Sequence, residues 1–165
     1  MGNNMIPRTK LYLETTVFNY YFDADRNMHP ASIALFEAIG RGEYEGYTST
    51  YVIQELTNAS EPKRSNMLGL IEKYGIKTFE ETPDVLLLAG NYIQNNIIPA
   101  KKQLDAQHIA IASIKNMDYI VSLNFKHINK IKTQIKANAV NALYGYKSNV
   151  IICSPMEVSD YETEN

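Results

Sequence analysis

KLYLETTVFNYYF, residues 10–22, is the stretch that decides how this sequence is interpreted. An apolar run from Leu11 to Leu13 stops at Glu14, and two threonines follow directly. The run predicts a short buried strand, and the residues after it predict a strand exit that carries a carboxylate and hydroxyl groups. In open parallel α/β sheets, ligands bind in the crevice beyond the carboxyl ends of the strands, so an acid at a strand exit is well placed for chemistry.

The same arrangement recurs three times further along the chain. Acidic or amide residues follow an apolar run or open an apolar helix at Glu55, Asp105 and Asn124. Because the carboxyl ends of parallel strands lie at one edge of a sheet, we expect these residues to meet Glu14 at that edge.

Short apolar runs alternate with longer segments of helical periodicity along the chain. Strands are predicted at residues 11–13, 44–48, 76–79, 119–123 and 150–153. Helices are predicted at residues 30–40, 50–59, 62–74, 83–98 and 104–115, with a helical turn after the first strand and a further helix in the lysine-rich segment after residue 124. Parallel neighbours need a long return connection, so this alternation predicts an α/β fold with parallel strands and crossover helices.

Length and composition predict one globular domain, since the chain has 165 residues, of which 45 % are hydrophobic and 21 % charged. We expect a disordered leader at residues 1–9, a single domain at residues 10–156 and a frayed acidic tail at residues 157–165. No apolar run approaches the roughly 18 residues of a membrane span, and no secretory signal is evident, so a cytoplasmic location is predicted. The single cysteine, Cys153, cannot form an internal disulfide, which is consistent with a reducing compartment.

The net charge of −2 excludes a strongly basic nucleic-acid binder, so any contact with nucleic acid must be local. The best local candidate is KHINKIKTQIK, which places four lysines beside His127. These lysines are Lys126, Lys130, Lys132 and Lys136. They can attract phosphates, and a solvated helix face is the equally weighted alternative.

The four polar residues provide hard oxygen ligands, which suit Mg²⁺ or Mn²⁺ held partly by water and substrate phosphate. Zinc is not favoured, because three scattered histidines and one cysteine do not provide the ligand pairs of a zinc site. The sequence contains no GxxxxGK[ST], no GxGxxG after a strand and no GxSxG motif. Taken singly, each residue also has an ordinary role open to it: Asp105 as a helix-start charge, Glu55 on a solvent face and Asn124 in a turn.

Four short segments carry these residues in the order LYLETTVF, TSTYVIQEL, LDAQHIAIA and YIVSLNFKHI. Their order, and the elements predicted between them, resemble the PIN-domain ribonucleases, which include the VapC-type toxins of bacterial and archaeal toxin–antitoxin pairs. The resemblance covers residues 10–155, nearly the whole chain. Each motif is short, and the combination of four in order is fairly specific.

Two positions depart from the family's usual pattern. Glu14 stands where the family has Asp, with Thr16 at the hydroxyl position, and Asn124 stands where the fourth motif, I-V-S/T-x-D, has an acid. Glu55 matches the second acid, and Asp105 opens the third motif, D-A-x-x-x-A-x-A. The chain therefore resembles a subgroup with Glu at the first acidic position and Asn at the fourth.

The resemblance implies a three-layer α/β/α sandwich around a mainly parallel sheet of about five strands. It implies an endoribonuclease that depends on Mg²⁺ or Mn²⁺ and hydrolyses RNA through a metal-activated water. The implied catalytic residues are Glu14, Glu55, Asp105 and Asn124, of which the first three hold the metal. Water or substrate would be positioned by Thr16, Asn124, Lys126 and His127. The implied partners are RNA, a second copy in a homodimer and, for a toxin, an antitoxin protein.

Alternatives remain at this level. Asn124 offers a carbonyl oxygen but no charge, so a catalytically weakened PIN-like module that binds RNA or protein is the main rival. For His108 and His127, packing or capping is the alternative to a catalytic role. An unrelated α/β phosphotransfer or phosphatase domain is disfavoured, because the paired aspartates expected at its first strand are absent.

Overall fold

The computed structural model describes residues 6–146 and 149–158 of the chain. The five strands are β1 Lys10–Leu13, β2 Glu45–Ser49, β3 Lys77–Phe79, β4 Tyr119–Val121 and β5 Ile151–Cys153. They form one sheet in the order β3-β2-β1-β4-β5, and every neighbouring pair is parallel. The predicted α/β fold with parallel strands is confirmed.

Helices connect the strands and cover the sheet. They are α1 Thr15–Phe22, α2 His29–Gly40, α3 Thr50–Thr57, α4 Lys63–Lys73, α5 Pro83–Gln94, α6 Gln103–Ile114, α7 Ile131–Leu143 and α8 Pro155–Val158, with a 3₁₀ turn at Ala100–Lys102. Their contacts fall into two groups, one of α1, α2, α3, α4 and α8 and the other of α5, α6 and α7, and α3 also contacts α6. This arrangement is the three-layer α/β/α sandwich expected of crossover connections in a parallel sheet.

Strand β1 lies at the centre of the sheet because it is apolar on both faces. Leu11, Tyr12 and Leu13 are fully buried, and β1 pairs with β2 on one side and β4 on the other. Since successive strand side chains point to opposite faces, Tyr12 faces away from its two leucine neighbours, and its ring contacts that of His108 in α6. One hydroxyl group is therefore buried on the face covered by α6.

The carboxyl ends of β1, β2 and β4 lie at the same edge of the sheet. The backbone N–H of Glu14, one residue beyond β1, donates to the carbonyl of Val121 at the end of β4 over 3.1 Å. Ser49 ends β2 and caps α3, its hydroxyl accepting the N–H of Val52. The chain thus leaves three adjacent strands at one place; Glu14, Glu55 and Asn124 follow these exits, and Asp105 lies in the first turn of α6.

Two helix boundaries differ from the sequence prediction by more than two residues. Helix α5 ends at Gln94 and not just before Pro99, because Asn96 adopts a left-handed conformation with φ of 57°. The lysine-rich segment begins as a turn, in which Asn124 Oδ1 accepts the N–H of His127 over 3.3 Å, and α7 starts only at Ile131. An asparagine side chain that bonds the backbone locally competes with helix formation.

Parts of the predicted leader and tail, residues 1–5 and 159–165, lie outside the described residues. Arg8, within the predicted leader, donates to the carbonyl of Gly42 over 3.3 Å and pairs with Glu45 over 3.4 Å. Among the helices of the described ranges, none has the length and apolarity that crossing a membrane requires.

Candidate functional site

Glu14 is the best-anchored acid at this edge. Only 4 % of its surface is exposed, and its carboxylate caps α1: Oε1 accepts the N–H of Thr16 over 3.2 Å, and Oε2 accepts the Thr16 hydroxyl over 2.6 Å. A carboxylate at a helix N-terminus is favoured by the unpaired N–H groups and by the helix dipole. The E-T-T sequence therefore folds back on itself and holds the acid at the strand exit.

The segment after β4 closes against Glu14. The Ser122 hydroxyl donates to Glu14 Oε2 over 2.6 Å and accepts the N–H of Asn124 over 3.0 Å. The N–H of Leu123 donates to Thr16 Oγ1 over 2.8 Å. Hydrogen bonds to a charged acceptor are stronger than those between neutral groups, so these contacts fix the exits of β1 and β4 to one another.

Asp105 and Asn124 meet beside this pair. Asn124 Nδ2 donates to Asp105 Oδ1 over 3.4 Å, and Asn124 Oδ1 accepts the N–H of His127. The amide nitrogen of Asn124 therefore faces the acid, while its oxygen is used to form the turn. In this arrangement Asn124 orients Asp105.

The two oxygens of Asp105 differ in their surroundings. Its Oδ2 is buried and has no hydrogen-bond partner among the residues that the structure describes. Burial raises the pKa of Asp105 and the nearby negative charge of Glu14 raises it further, whereas the electrostatic effects of His108, His127 and Lys102 act in the opposite direction. The site thus holds two carboxylates that repel each other and one oxygen without a partner.

Glu55 lies at the same edge in a different setting. Its Oε1 accepts the Thr15 hydroxyl over 2.8 Å and His108 Nε2 over 2.9 Å. Burial acts to raise the pKa of Glu55, but the hydrogen bond from His108, the electrostatic effect of that ring and the hydrogen bond from Thr15 outweigh it, so the pKa is lowered. Glu55 is therefore hydrogen-bonded to Thr15, which follows Glu14, and to His108, which lies three residues after Asp105 in α6.

The predicted basic residues lie in the turn after Asn124 and at the start of α7. In the turn after Asn124, Lys126 is exposed and His127 is half-buried. Phe125, which follows Asn124 directly, has 49 % of its surface exposed. The remaining three lysines, Lys130, Lys132 and Lys136, are exposed just before and within α7. A positive, accessible turn thus borders Asp105.

The donors suit a hard divalent cation by their chemistry, since they are carboxylate oxygens, whereas the oxygen of Asn124 is used in the turn. The unpartnered Oδ2 of Asp105 fits such a cation best, because a cation would compensate its buried charge. Both oxygens of Glu14 already accept hydrogen bonds, although a carboxylate oxygen can accept more than one. Within residues 6–146 and 149–158, no three His, Cys, Asp or Glu side chains are grouped closely enough to hold a metal ion. The fit therefore centres on Asp105 with Glu14 beside it.

Three residues of the site were not among the predicted ones. Ser122 lies at the S/T position of the fourth motif, but the sequence does not indicate what its hydroxyl binds. Thr15 stands between the acid and the hydroxyl of the first motif, and its side chain serves Glu55. His108 shares a helix face with Asp105 but binds Glu55, a contact between distant segments that spacing does not reveal.

The comparisons with known proteins add no family assignment. No known protein-family model matches the sequence, and no curated protein matches it significantly.

Proposed function

We propose that this protein is a PIN-like ribonuclease that depends on Mg²⁺ or Mn²⁺ and hydrolyses RNA phosphodiesters. The observation that carries the proposal is the buried Oδ2 of Asp105, which has no partner within residues 6–146 and 149–158 and lies beside Glu14 at the carboxyl edge of a parallel sheet. Two carboxylates that repel each other at such an edge are explained by a cation that binds between them. Hydrolysis adds water across one P–O bond and leaves a phosphate on one RNA fragment and a hydroxyl on the other.

The metal would be held by Asp105 and Glu14, with Glu55 as the third carboxylate at the edge. When bound, such an ion activates water and neutralises charge on the phosphate. The protein's own contribution is orientation: Thr16 and Ser122 hold Glu14 through two hydrogen bonds of 2.6 Å. Asn124 orients Asp105 through its amide, so the fourth motif position serves the site without a charge.

RNA is the substrate that the surroundings favour. The turn after Asn124 places exposed Lys126 and half-buried His127 next to the acids, where they can attract a phosphate backbone. Phe125, with 49 % of its surface exposed, offers a ring on which an unpaired base can stack. Single-stranded RNA satisfies both features, because its bases are free to leave the stack.

The proposal also includes a cytoplasmic location, where RNA is available. It further includes a homodimer, for which helix α7 offers a surface. Helix α7 leaves Ile131 78 % exposed and Ile135, one turn later, 62 % exposed. Large apolar side chains on one helix face are a usual element of a protein contact. An antitoxin would be a partner of the same surface only if the protein is a toxin.

The experiment that tests the proposal is cleavage of a mixed RNA pool in Mn²⁺ by the wild type, by Asp105→Asn and by Asp84→Asn. Asp84 is an exposed acid in the first turn of α5 and serves as a matched control. We expect cleavage by the wild type and by Asp84→Asn, and none by Asp105→Asn with the fold intact. Equal cleavage by all three proteins would contradict the role of Asp105.

A titration with Mn²⁺ separates the nuclease from its rival, the weakened module that binds RNA or protein. The nuclease requires that the wild type binds Mn²⁺ at submillimolar to millimolar concentration and that Asp105→Asn does not. RNA binding without Mn²⁺ binding or cleavage would favour the binding module.

A further inference from the structure

A chain of buried hydrogen bonds runs from the end of β2 to Glu55. The Tyr12 hydroxyl lies 2.7 Å from Ser49 Oγ and 2.7 Å from His108 Nδ1. His108 Nε2 lies 2.9 Å from Glu55 Oε1. Ser49 and Tyr12 are fully buried and His108 is 1 % exposed, so none of these groups exchanges its partner for water. The chain joins β2, β1, α6 and α3 and ends at one carboxylate oxygen.

Donor and acceptor counting gives this chain a direction. Glu55 can only accept, because its pKa is lowered and it is ionised at neutral pH, so His108 Nε2 carries a hydrogen. In a neutral imidazole, Nδ1 is then an acceptor, and it receives the hydrogen of the Tyr12 hydroxyl. Burial raises the pKa of Tyr12 far above its usual value, so this phenol keeps its hydrogen. The Ser49 hydroxyl can in turn donate to the Tyr12 oxygen.

The opposite direction leaves one group unsatisfied. If Nδ1 of His108 donated to Tyr12, the Tyr12 hydroxyl would donate to Ser49. The Ser49 oxygen already accepts the N–H of Val52 over 3.4 Å, and its own hydrogen would have no acceptor within the part of the chain that the structure describes. An unsatisfied buried hydroxyl costs about 1–3 kcal/mol. The arrangement in which Tyr12 donates to Nδ1 and Nε2 donates to Glu55 is therefore the one that gives every hydrogen of this chain an acceptor.

The ring of His108 is also fixed laterally. The edge of His108 packs against Tyr51 with the ring planes at 85°, and Tyr12 packs on it with ring centroids 5.8 Å apart. With both nitrogens bonded and two aromatic rings in contact, the imidazole cannot turn. Its Nε2–H is a rigid donor at a defined point of the carboxyl edge.

We propose that His108 is a positioning residue for Glu55: held by the hydroxyl of Tyr12, it fixes Oε1 of Glu55 and leaves Oε2 to bind a divalent cation or a water molecule. This inference rests on the proposed function and extends it to a residue outside the carboxylate set. Thr15, which also donates to Oε1, acts with it. The carboxylate is then oriented before the cation arrives, as outer hydrogen bonds do for metal ligands in general.

The test compares His108→Asn with His108→Gln. A glutamine amide can place an N–H near the position of Nε2 and keep the donor to Glu55, whereas an asparagine amide reaches only the position of Nδ1 and loses it. Mn²⁺ affinity is measured by calorimetry without RNA, thermal denaturation reports folding, and RNA cleavage gives kcat and KM separately. We expect His108→Asn to weaken Mn²⁺ binding by about 10–100-fold and to lower kcat with little change in KM, and His108→Gln to restore most of both.

The outcomes separate this inference from the proposed function. If the wild type binds Mn²⁺ and both variants bind it equally well, His108 is only a packing residue and the inference is overturned while the proposed function stands. If the wild type itself neither binds Mn²⁺ nor cleaves RNA, the proposed function fails and the inference with it. Should His108→Asn not fold, Tyr12→Phe keeps the ring and removes the hydroxyl; weakened Mn²⁺ binding supports the inference, and unchanged binding overturns it.

Discussion

Replacing Asp105 by asparagine is expected to stabilise the metal-free protein while abolishing its activity. Asp105 has a buried oxygen without a partner among the described residues and lies close enough to Glu14 for that charge to raise its pKa. Asparagine keeps an oxygen to accept the Asn124 amide and removes the charge, so both the repulsion and the cost of burying a carboxylate disappear. A residue that lowers the free energy of unfolding at its position is typical of a functional site.

The magnitude follows from the removal of the charge. A buried polar atom without a partner costs about 1–3 kcal/mol and a charged one more, so replacing the charged oxygen by a neutral amide gives a gain of about 1 kcal/mol, kept small because Asp105 as a whole is only half-buried. A gain of about 1 kcal/mol raises Tm by roughly 2–4 °C for a chain of this length. The amide introduced by Asp105→Asn forms fewer hydrogen bonds in the folded protein than it does with water in the unfolded chain, and this limits the gain in stability.

The gain depends on pH, and its sign follows from the direction of the pKa shift. The folded-state pKa of Asp105 is raised, so the stability linked to its protonation is fully present below the unfolded pKa and is lost as pH rises through the folded pKa. Wild type therefore lacks this contribution at neutral pH. Asp105→Asn does not ionise, so its gain over wild type is largest at neutral pH and shrinks in acid below about pH 4.

The assay is urea unfolding followed by circular dichroism, with and without Mn²⁺, at neutral and acidic pH. Mn²⁺ at a hundred times its Kd stabilises wild type by about 2.7 kcal/mol and leaves Asp105→Asn unchanged, so the order of the two stabilities reverses when metal is added. A metal-free Asp105→Asn less stable than wild type at neutral pH, or an equal response of both proteins to Mn²⁺, would refute this reasoning.

Three further substitutions test separate parts of the site. Ser122→Ala removes a buried hydrogen bond to the Glu14 carboxylate and lowers the free energy of unfolding by about 2 kcal/mol in urea titrations. Glu55→Gln lowers the free energy of unfolding by about 1 kcal/mol at neutral pH and leaves it unchanged in acid. The reason is that the lowered pKa of Glu55 gives a contribution to stability that is present above the unfolded pKa and is lost as pH falls through the folded pKa. Stability curves of both proteins against pH measure this difference. Lys126→Ala weakens RNA binding about equally for all sequences and reduces the slope of log K against log salt by about 1, measured by fluorescence anisotropy.

The fold was accessible from the sequence because its signals are local and agree with one another. The apolar run of Leu11 to Leu13 predicted the central strand, and parallel pairing followed from the helical segments between strands. Boundaries failed where a single side chain overrode the pattern. Asn124 and Asn96 both redirect the backbone, through a side-chain hydrogen bond and a left-handed conformation, and neither effect is visible in hydrophobic periodicity.

The site was accessible only in part. The strand exit at Glu14 and the helix start at Asp105 predicted that these two acids would meet, because a parallel α/β topology brings both positions to one edge of the sheet. Which atom bonds which is decided by side-chain geometry: that Ser122 serves Glu14, or that His108 serves Glu55 from across 53 residues, follows from packing and not from spacing. The sequence does not determine the orientation of the Asn124 amide either, since an amide presents either a donor or an acceptor at similar positions.

The central claim is that Asp105 and Glu14 hold a divalent cation at the carboxyl edge of the sheet. The most direct test is an anomalous difference map from crystals of the wild-type protein grown with Mn²⁺. The account predicts a peak beside Oδ2 of Asp105, on the side of Glu14, that disappears in crystals of Asp105→Asn. No peak at that edge at millimolar Mn²⁺, or a peak that persists in the variant, would contradict it.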